Sequence, residues 1–179
     1  MARVTFPLDS DGMTAGERSG RETVWLDGDQ QQAWRAYIMG TTLLLDRLDR
    51  ELRQEWGLSL TEYEILVRLS EQPDRSLRMA LLADALCHSR SRITHTIKRM
   101  EDEDLVVRGK AEGDRRGVCA TMTDRGYALL VKAAPTHVAG VRDHLVNLAS
   151  RAEFATVGRV FDRVCDQLMQ GHDAATDIR

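Results

Sequence analysis

The stretch from Ser76 to Thr123 constrains this chain more than any other. A short apolar helix pattern opens it, with Met79, Leu82, Ala83 and Leu86, and Cys87-His88-Ser89 breaks that pattern. The spacing of Ile93, Ile97 and Met100 then predicts a second helix from Ser89 to about Glu103 with one buried face. Ser89 suits the N-cap, because its hydroxyl can accept a bond from an orphan N–H one turn in. The opposite face carries Ser91, His95 and Lys98, flanked by Arg92, Thr94 and Arg99, and no acid occurs between Cys87 and Met100. A short helix, a tight turn and a second helix with a cationic, hydrogen-bonding outer face fit a reader of the DNA major groove.

The segment after this helix sharpens the expectation. Leu105 to Arg108 and Val118 to Thr123 are short β-branched runs, separated by the Gly- and charge-rich segment GKAEGDRRG. That arrangement predicts a hairpin with an extended tip. Arg115 and Arg116 at the tip could enter a minor groove, whose negative potential attracts guanidinium groups. Either element alone could equally be a solvated charged surface. In series, inside an otherwise helical chain, they point to DNA and to a winged helix-turn-helix.

Several of these residues carry a family resemblance. Leu82-Ala83, the Ser-containing turn, Ile93 to Glu101, Leu105-Val106, Asp114-Arg115-Arg116-Gly117 and Met122-Thr123 followed by Gly126 resemble the MarR family of bacterial transcriptional regulators. The Asp-x-Arg of the wing and the Met-Thr-x-x-Gly after it discriminate best, and the resemblance covers roughly residues 30 to 170. Relatives usually carry Gly just before the first wing strand, where this chain has Asp104. Asp can adopt the left-handed conformation that Gly would supply there, at some cost.

The flanks read as helices. From Asp29 to about Trp56, the residues Trp34, Ile38, Thr41, Leu45, Leu48 and Leu52 form a heptad-like stripe, and Gly57 ends the helix. Thr61 and Glu64 look like a capping box, with Leu60 and Ile65 as a hydrophobic staple. Thr123 is a plausible N-cap for a long helix whose apolar set runs from Leu130 through Ala134, Val138, Val141 and Leu145 to Leu148, with Pro135 expected to kink it. Ser150 and Glu153 form a further capping box before a helix bearing Phe154, Val157, Phe161, Val164 and Leu168. Three seams so far apart in sequence could pack within one chain. Sharing them in a homodimer is favoured, and the resemblance points the same way.

The expected architecture is therefore mainly α, with a winged helix-turn-helix domain embedded between long N- and C-terminal dimerisation helices. Residues 1–27 would be a flexible extension, and a disordered tail with no role is favoured over one anchored through Val24-Trp25-Leu26. Residues 28–57 would form the first dimerisation helix, 58–123 the DNA-binding domain, 124–172 the C-terminal dimerisation helices and 173–179 a tail.

With 179 residues and 42% hydrophobic content, the chain can build one core or two coupled lobes. Its net charge of −3 excludes a general polyanion binder, so DNA contact must come from local clusters of cations. The acids Glu101 to Asp104 oppose the helix dipole and are expected to be solvated and turned away from phosphate. Three cysteines at wide spacing make no disulfide framework and suit a reducing cytoplasm; no apolar run suggests export or membrane insertion.

Chemistry beyond DNA finds less support. Cys87, His88 and His95, or His137 and His144, lack the converging segment that a metal site needs, so neither metal nor cofactor is expected. No phosphate loop, nucleophile elbow or tuned carboxylate pair suggests an enzyme. Some relatives sense peroxide through a Cys in the first helix, but the first Cys here is Cys87, and Cys87, Cys119 and Cys165 are read as core filling. The resemblance also implies a small aromatic or anionic effector, held where the helical platform meets the winged domain. Trp34, Tyr37, Ile38 and Tyr63 could line such a pocket, although ordinary packing explains each as well.

These readings converge on a transcriptional regulator, a repressor released by an effector from pseudo-palindromic operator DNA. Ser89, Arg90, Ser91, Arg92, Thr94, His95 and Lys98 are the candidate contacts of the helix, Arg115 and Arg116 those of the wing, with Asp114 bracing the hairpin. The competing classes are a winged-helix protein-interaction module without specific DNA binding, and a thiol peroxidase acting through Cys87.

Overall fold

A computed structural model describes residues 23–110 and 117–169. The chain divides into two units, the first ending at Tyr37 and the second beginning at Ile38. Helix α1 (Gly28–Trp56) runs through that boundary. In the first unit Asp27 and Gln30 exchange bonds at the start of α1: the Gln30 N–H donates to Asp27 Oδ1 at 2.8 Å and the Asp27 N–H to Gln30 Oε1 at 3.1 Å. Two orphan donors of the first turn are thereby satisfied. Val24 and Trp25 stand exposed before it.

The second unit continues through α2 (Leu60–Ser70), β1 (Ser76–Arg78), α3 (Met79–Ala85), α4 (Arg90–Asp102), β2 (Val106–Lys110), β3 (Val118–Met122), α5 (Asp124–His144), a 3-10 turn at Val146–Leu148 and α6 (Arg151–Leu168). The expected winged helix-turn-helix is present, with long helices on either side of it. The three strands are antiparallel in the order β1-β3-β2, with Leu77 opposite Ala120 and Val106 opposite Met122. Leu52, Ile65, Leu66, Leu69, Leu82, Ile93, Ile97, Met100 and Val106 are wholly buried and make one core from α1 to the base of the sheet.

Three sequence expectations need correction. The N-cap of α2 is Ser59, not Thr61: Ser59 and Glu62 form the capping box, so the helix begins at Leu60, ahead of the start that a cap at Thr61 allows. Strand β1 carries no signal of its own in the sequence and forms by pairing with β3. The first wing strand starts at Val106, because the Leu105 N–H is taken by the Met100 carbonyl at 2.9 Å to close the end of α4. Helix α5 includes Pro135 but ends at His144, so Leu145 and Leu148 lie outside it and Leu148 is 77% exposed.

The expected seams are used unevenly within the chain. Leu48 and Leu52 of α1 and Leu130 and Ala133 of α5 are buried, whereas Ile38, Leu45 and Val138 are exposed. Helix α6 buries no residue, and Phe154, Val157, Val160, Val164 and Leu168 all stand exposed. Its seam is therefore not satisfied by packing on the rest of the chain. No helix among the described residues is long and apolar enough to cross a membrane.

Candidate nucleic-acid interface

Helix α4 is amphipathic in the strict sense. Ile93, Ile97 and Met100 are wholly buried, and Ser89, Arg90, Ser91, Arg92, Thr94, His95 and Lys98 are all exposed. Ser89 is the N-cap and accepts from the Arg92 N–H at 3.2 Å, which removes one orphan donor at the start. The Thr94 hydroxyl donates back to the Arg90 carbonyl at 2.8 Å and keeps its lone pairs outward. Arg90 and Thr94 also face a cleft of 390 Å³ that they share with Arg78, Met79 and Val118.

The cations on this helix are sorted. Arg99 turns inward, and its Nε and Nη2 donate to Glu62 Oε1 at 2.7 and 2.6 Å. Glu62 is itself buried and receives the N–H and hydroxyl of Ser59 on its other oxygen, at 2.8 and 2.6 Å. A buried carboxylate requires this degree of satisfaction. Arg99 thus ties α4 to α2. By contrast, among the described residues no carboxylate lies within ion-pair distance of Arg90, Arg92 or Lys98. Arg92 is close enough that its charge helps hold the His88 imidazole below its usual pKa, with burial as the larger cause. Burial also raises the Glu64 carboxyl, against the opposing charges of Arg68 and Arg92.

Both turns around α4 use one device. At the end of α3 the Cys87 N–H donates to the Asp84 carbonyl and the His88 N–H to the Ala83 carbonyl. At the end of α4 the Asp104 N–H donates to the Glu101 carbonyl and the Leu105 N–H to the Met100 carbonyl. Each is a Schellman closure, which needs a left-handed residue, and Cys87 and Asp104 occupy those positions at φ 52° and 58°. The expectation that Asp104 replaces a glycine in this conformation is met. The expected burial of the cysteines is not: Cys87 and Cys165 are exposed, and Cys119 is half-buried on β3. Cys87 is held by the turn and not by the core.

The expectation for the acidic block also changes. Asp102, Glu103 and Asp104 are exposed as expected, whereas Glu101, with 32% of its side chain exposed, is also engaged: it accepts from the Arg108 N–H at 3.1 Å and from Arg108 Nε and Nη2 at 2.9 and 2.6 Å. Those bonds hold its carboxyl below the usual carboxylate range. Asp114, Arg115 and Arg116, at the expected tip of the wing, lie outside the described residues.

The residues named for an effector pocket take different places. The rings of Trp34 and Tyr37 lie 5.7 Å apart on α1, both exposed, and Ile38 is exposed on the same helix. Tyr63 is a core residue, 6% exposed, with its ring centroid 4.5 Å from that of His137. His137 was considered as a metal ligand with His144. Its Nδ1 is buried without a hydrogen-bond partner, and His144 instead bonds Glu51 at 2.9 Å.

The sequence profile of the MarR family matches residues 58–118, from the start of α2 to the start of β3. The transcriptional regulator PecS of Dickeya dadantii is 31% identical over 113 residues, which span 60% of this chain and 68% of PecS. AbsC of Streptomyces coelicolor, a MarR family regulator, is 38% identical and superposes with a TM-score of 0.78 over 83% of this chain and 99% of its own. This chain belongs to the MarR family. Sco3205, another MarR family regulator from Streptomyces coelicolor, was solved in complex with DNA; it is 37% identical, with a TM-score of 0.80 over 82% of this chain and 92% of its own. The MarR-family chain described here is accordingly a DNA-binding transcriptional regulator, and the protein-interaction module is not favoured. The motif that marked the resemblance now has a physical role. Thr123 caps α5 by accepting from the Gly126 N–H at 3.0 Å, and its own hydroxyl reaches the carbonyl of Asp104 at 2.8 Å.

Proposed function

We propose that this MarR-family regulator is a homodimeric repressor that reads pseudo-palindromic operator DNA with α4 in the major groove. The observation that carries this reading is the outer face of α4, where seven exposed polar or cationic residues stand with no acid among them. Arg90, Arg92, Thr94, His95 and Lys98 contact base edges and phosphates, and Ser89 and Ser91 meet the backbone near the helix N-terminus. The β2–β3 hairpin carries Arg115 to phosphate and Arg116 to the minor groove, with Asp114 bracing it. The uncovered apolar seam of α6 supports dimerisation, which sets the two half-sites about one helical turn apart, ~34 Å. An aromatic or anionic effector that changes the separation of the two lobes releases the DNA, and Trp34, Tyr37 and Ile38 supply exposed apolar surface to it. The three free cysteines suit a cytoplasmic protein, and its activity is binding without catalysis.

The test is binding of the full chain to the DNA upstream of its own coding sequence, and to single-base variants of the mapped site, at two salt concentrations. Arg92→Ala or His95→Ala should each cost about 1–3 kcal/mol on the true site and relax preference at particular positions. Arg116→Ala should weaken all sites alike and flatten the salt dependence by about one phosphate-equivalent. Affinity without salt dependence or discrimination between sequences would overturn the reading.

A further inference from the structure

The last turn of α4 carries Glu101 and Asp102, with Glu103 as C-cap, at the end of the helix where backbone carbonyls disfavour negative charge. Glu101 alone among them has a strong compensation, and that compensation lies on the hairpin. Strand β2 is at the edge of the sheet, so one row of its backbone donors has no neighbouring strand. The Arg108 N–H belongs to that row, and Glu101 Oε1 accepts it, while Oε2 takes both Nε and Nη2 of the same arginine. Only Val106 of β2 is buried; Val107, Arg108, Gly109 and Lys110 are all exposed. Packing therefore holds the base of the strand and leaves its outer half to other bonds. The covalent link from α4 to β2 is the short turn through Asp104, and the Glu101 bonds bridge that turn directly.

We infer that Glu101 is a positioning residue for DNA recognition, fixing the angle between α4 and the β2–β3 hairpin through Arg108 while keeping the Arg108 guanidinium off phosphate. The inference rests on the proposal that α4 and the hairpin together contact the operator. It has a signature that a simple surface acid lacks. Removing Glu101 deletes one negative charge and frees one cation, so binding to random duplex strengthens by roughly twofold to threefold through an added phosphate contact. The same change loosens the relation between the groove-reading helix and the hairpin, so operator affinity falls, by roughly fivefold to tenfold for lost preorganisation. The two affinities move in opposite directions.

The experiment compares the full chain with Glu101→Ala, Glu101→Gln, Arg108→Ala and the double variant Glu101→Ala/Arg108→Ala. Anisotropy is read on the mapped upstream site and on a scrambled duplex of equal length, and amide hydrogen exchange is read at Arg108 without DNA. Glu101→Ala should speed exchange at the Arg108 amide, weaken the operator and strengthen the scrambled duplex. Glu101→Gln, which keeps an acceptor for the amide, should fall between Glu101→Ala and the unaltered chain. Adding Glu101→Ala to Arg108→Ala should change the operator-to-scrambled ratio by less than it does in the unaltered chain. Unchanged exchange would mean that the clamp is absent in solution. Faster exchange with an unchanged ratio, or an equal rise in both affinities, would mean that the clamp does not position the hairpin; each result overturns the inference. Failure of the underlying reading is separate: Arg92→Ala would then leave operator affinity unchanged, while exchange at Arg108 would still report the clamp.

Discussion

Gly126→Ala tests why a glycine stands three residues after the Thr123 cap. A Cβ at this position would overlap the Leu105 carbonyl oxygen and come within 3.1 Å of Leu105 C and Met122 Cγ. Carbon–oxygen contacts normally lie at about 3.3–3.6 Å, so the first turn of α5 would have to retreat from the α4–β2 turn by roughly 1 Å. The carbonyl in its way is not a flexible tip. It accepts from the Thr123 N–H at 3.1 Å and from the Thr123 hydroxyl at 3.2 Å. Overpacking of this kind costs about 1–3 kcal/mol. Each hydrogen bond that is lengthened loses up to about 1 kcal/mol. The better helix propensity of Ala returns about 1 kcal/mol. The net expectation is a loss of about 2–3 kcal/mol, read as a lower urea midpoint at unchanged slope and fixed chain concentration. Gly140→Ala is the comparison. Its Cβ would meet Glu51 Oε2 at 2.6 Å and Leu48 Cδ2 at 2.8 Å, which are side-chain atoms that can move. The change there should stay within about 1 kcal/mol, because the same propensity gain offsets a softer clash. Equal stability of Gly126→Ala and the unaltered chain would refute the close approach.

Three further outcomes are expected. Cys87→Gly and Asp104→Gly should each leave stability unchanged or raise it by up to about 1 kcal/mol, since relief of the left-handed strain outweighs the greater freedom of Gly in the unfolded chain; a loss beyond that in urea titrations would contradict the strain. Burial holds His137 below its usual 6.5, so as pH falls through 6.5 the unfolded chain takes up a proton first and stability drops; His137→Phe should remove that part of the slope between about pH 7 and 5, and identical slopes would exclude this cause. Sedimentation equilibrium at low-micromolar concentration should give twice 20.2 kDa, while Val157→Asp should shift the α6 seam toward a monomer, and a monomeric unaltered chain would remove the dimer.

The periodic parts of this fold could be read from residue order, because burial repeats with the helix. Ile93, Ile97 and Met100 gave α4 its inner face, and Ser89 and Thr123 announced their caps. What residue order left open depended on partners far along the chain. Ser59-Leu60-Thr61-Glu62 and Thr61-Glu62-Tyr63-Glu64 are overlapping capping boxes, and local chemistry does not choose between them. Arg99 does, because it meets the Glu62 carboxylate that Ser59 also needs. Similarly, Ser76-Leu77-Arg78 is too short to register as a strand without β3 beside it. Cys87 was hidden for a different reason. The left-handed residue of a Schellman closure is recognised by glycine, and Cys87 is not one, whereas Asp104 was legible because relatives carry Gly at that place. The remaining miss, Glu101, comes from treating four consecutive acids as one solvated block when a single arginine seven residues on distinguishes one of them.

That miss bears on how a chain of net charge −3 can address a polyanion. Carboxylates do not merely oppose DNA here; they decide which cations remain available. Glu62 takes Arg99, Glu101 takes Arg108, Asp124 takes Arg75, and Asp49 and Glu51 take Arg53 and Arg47 along α1. Most of these pairs are partly exposed and each contributes little to stability. Their larger effect is on the surface potential, since a paired guanidinium presents almost no net charge beyond the Debye length of about 8–10 Å. Arg90, Arg92 and Lys98 lack such a partner among the described residues, and all three lie on the outer face of α4. These cations share that face with the hydrogen-bonding residues Ser91, Thr94 and His95, so attraction to phosphate and the groups that orient the helix act from one surface.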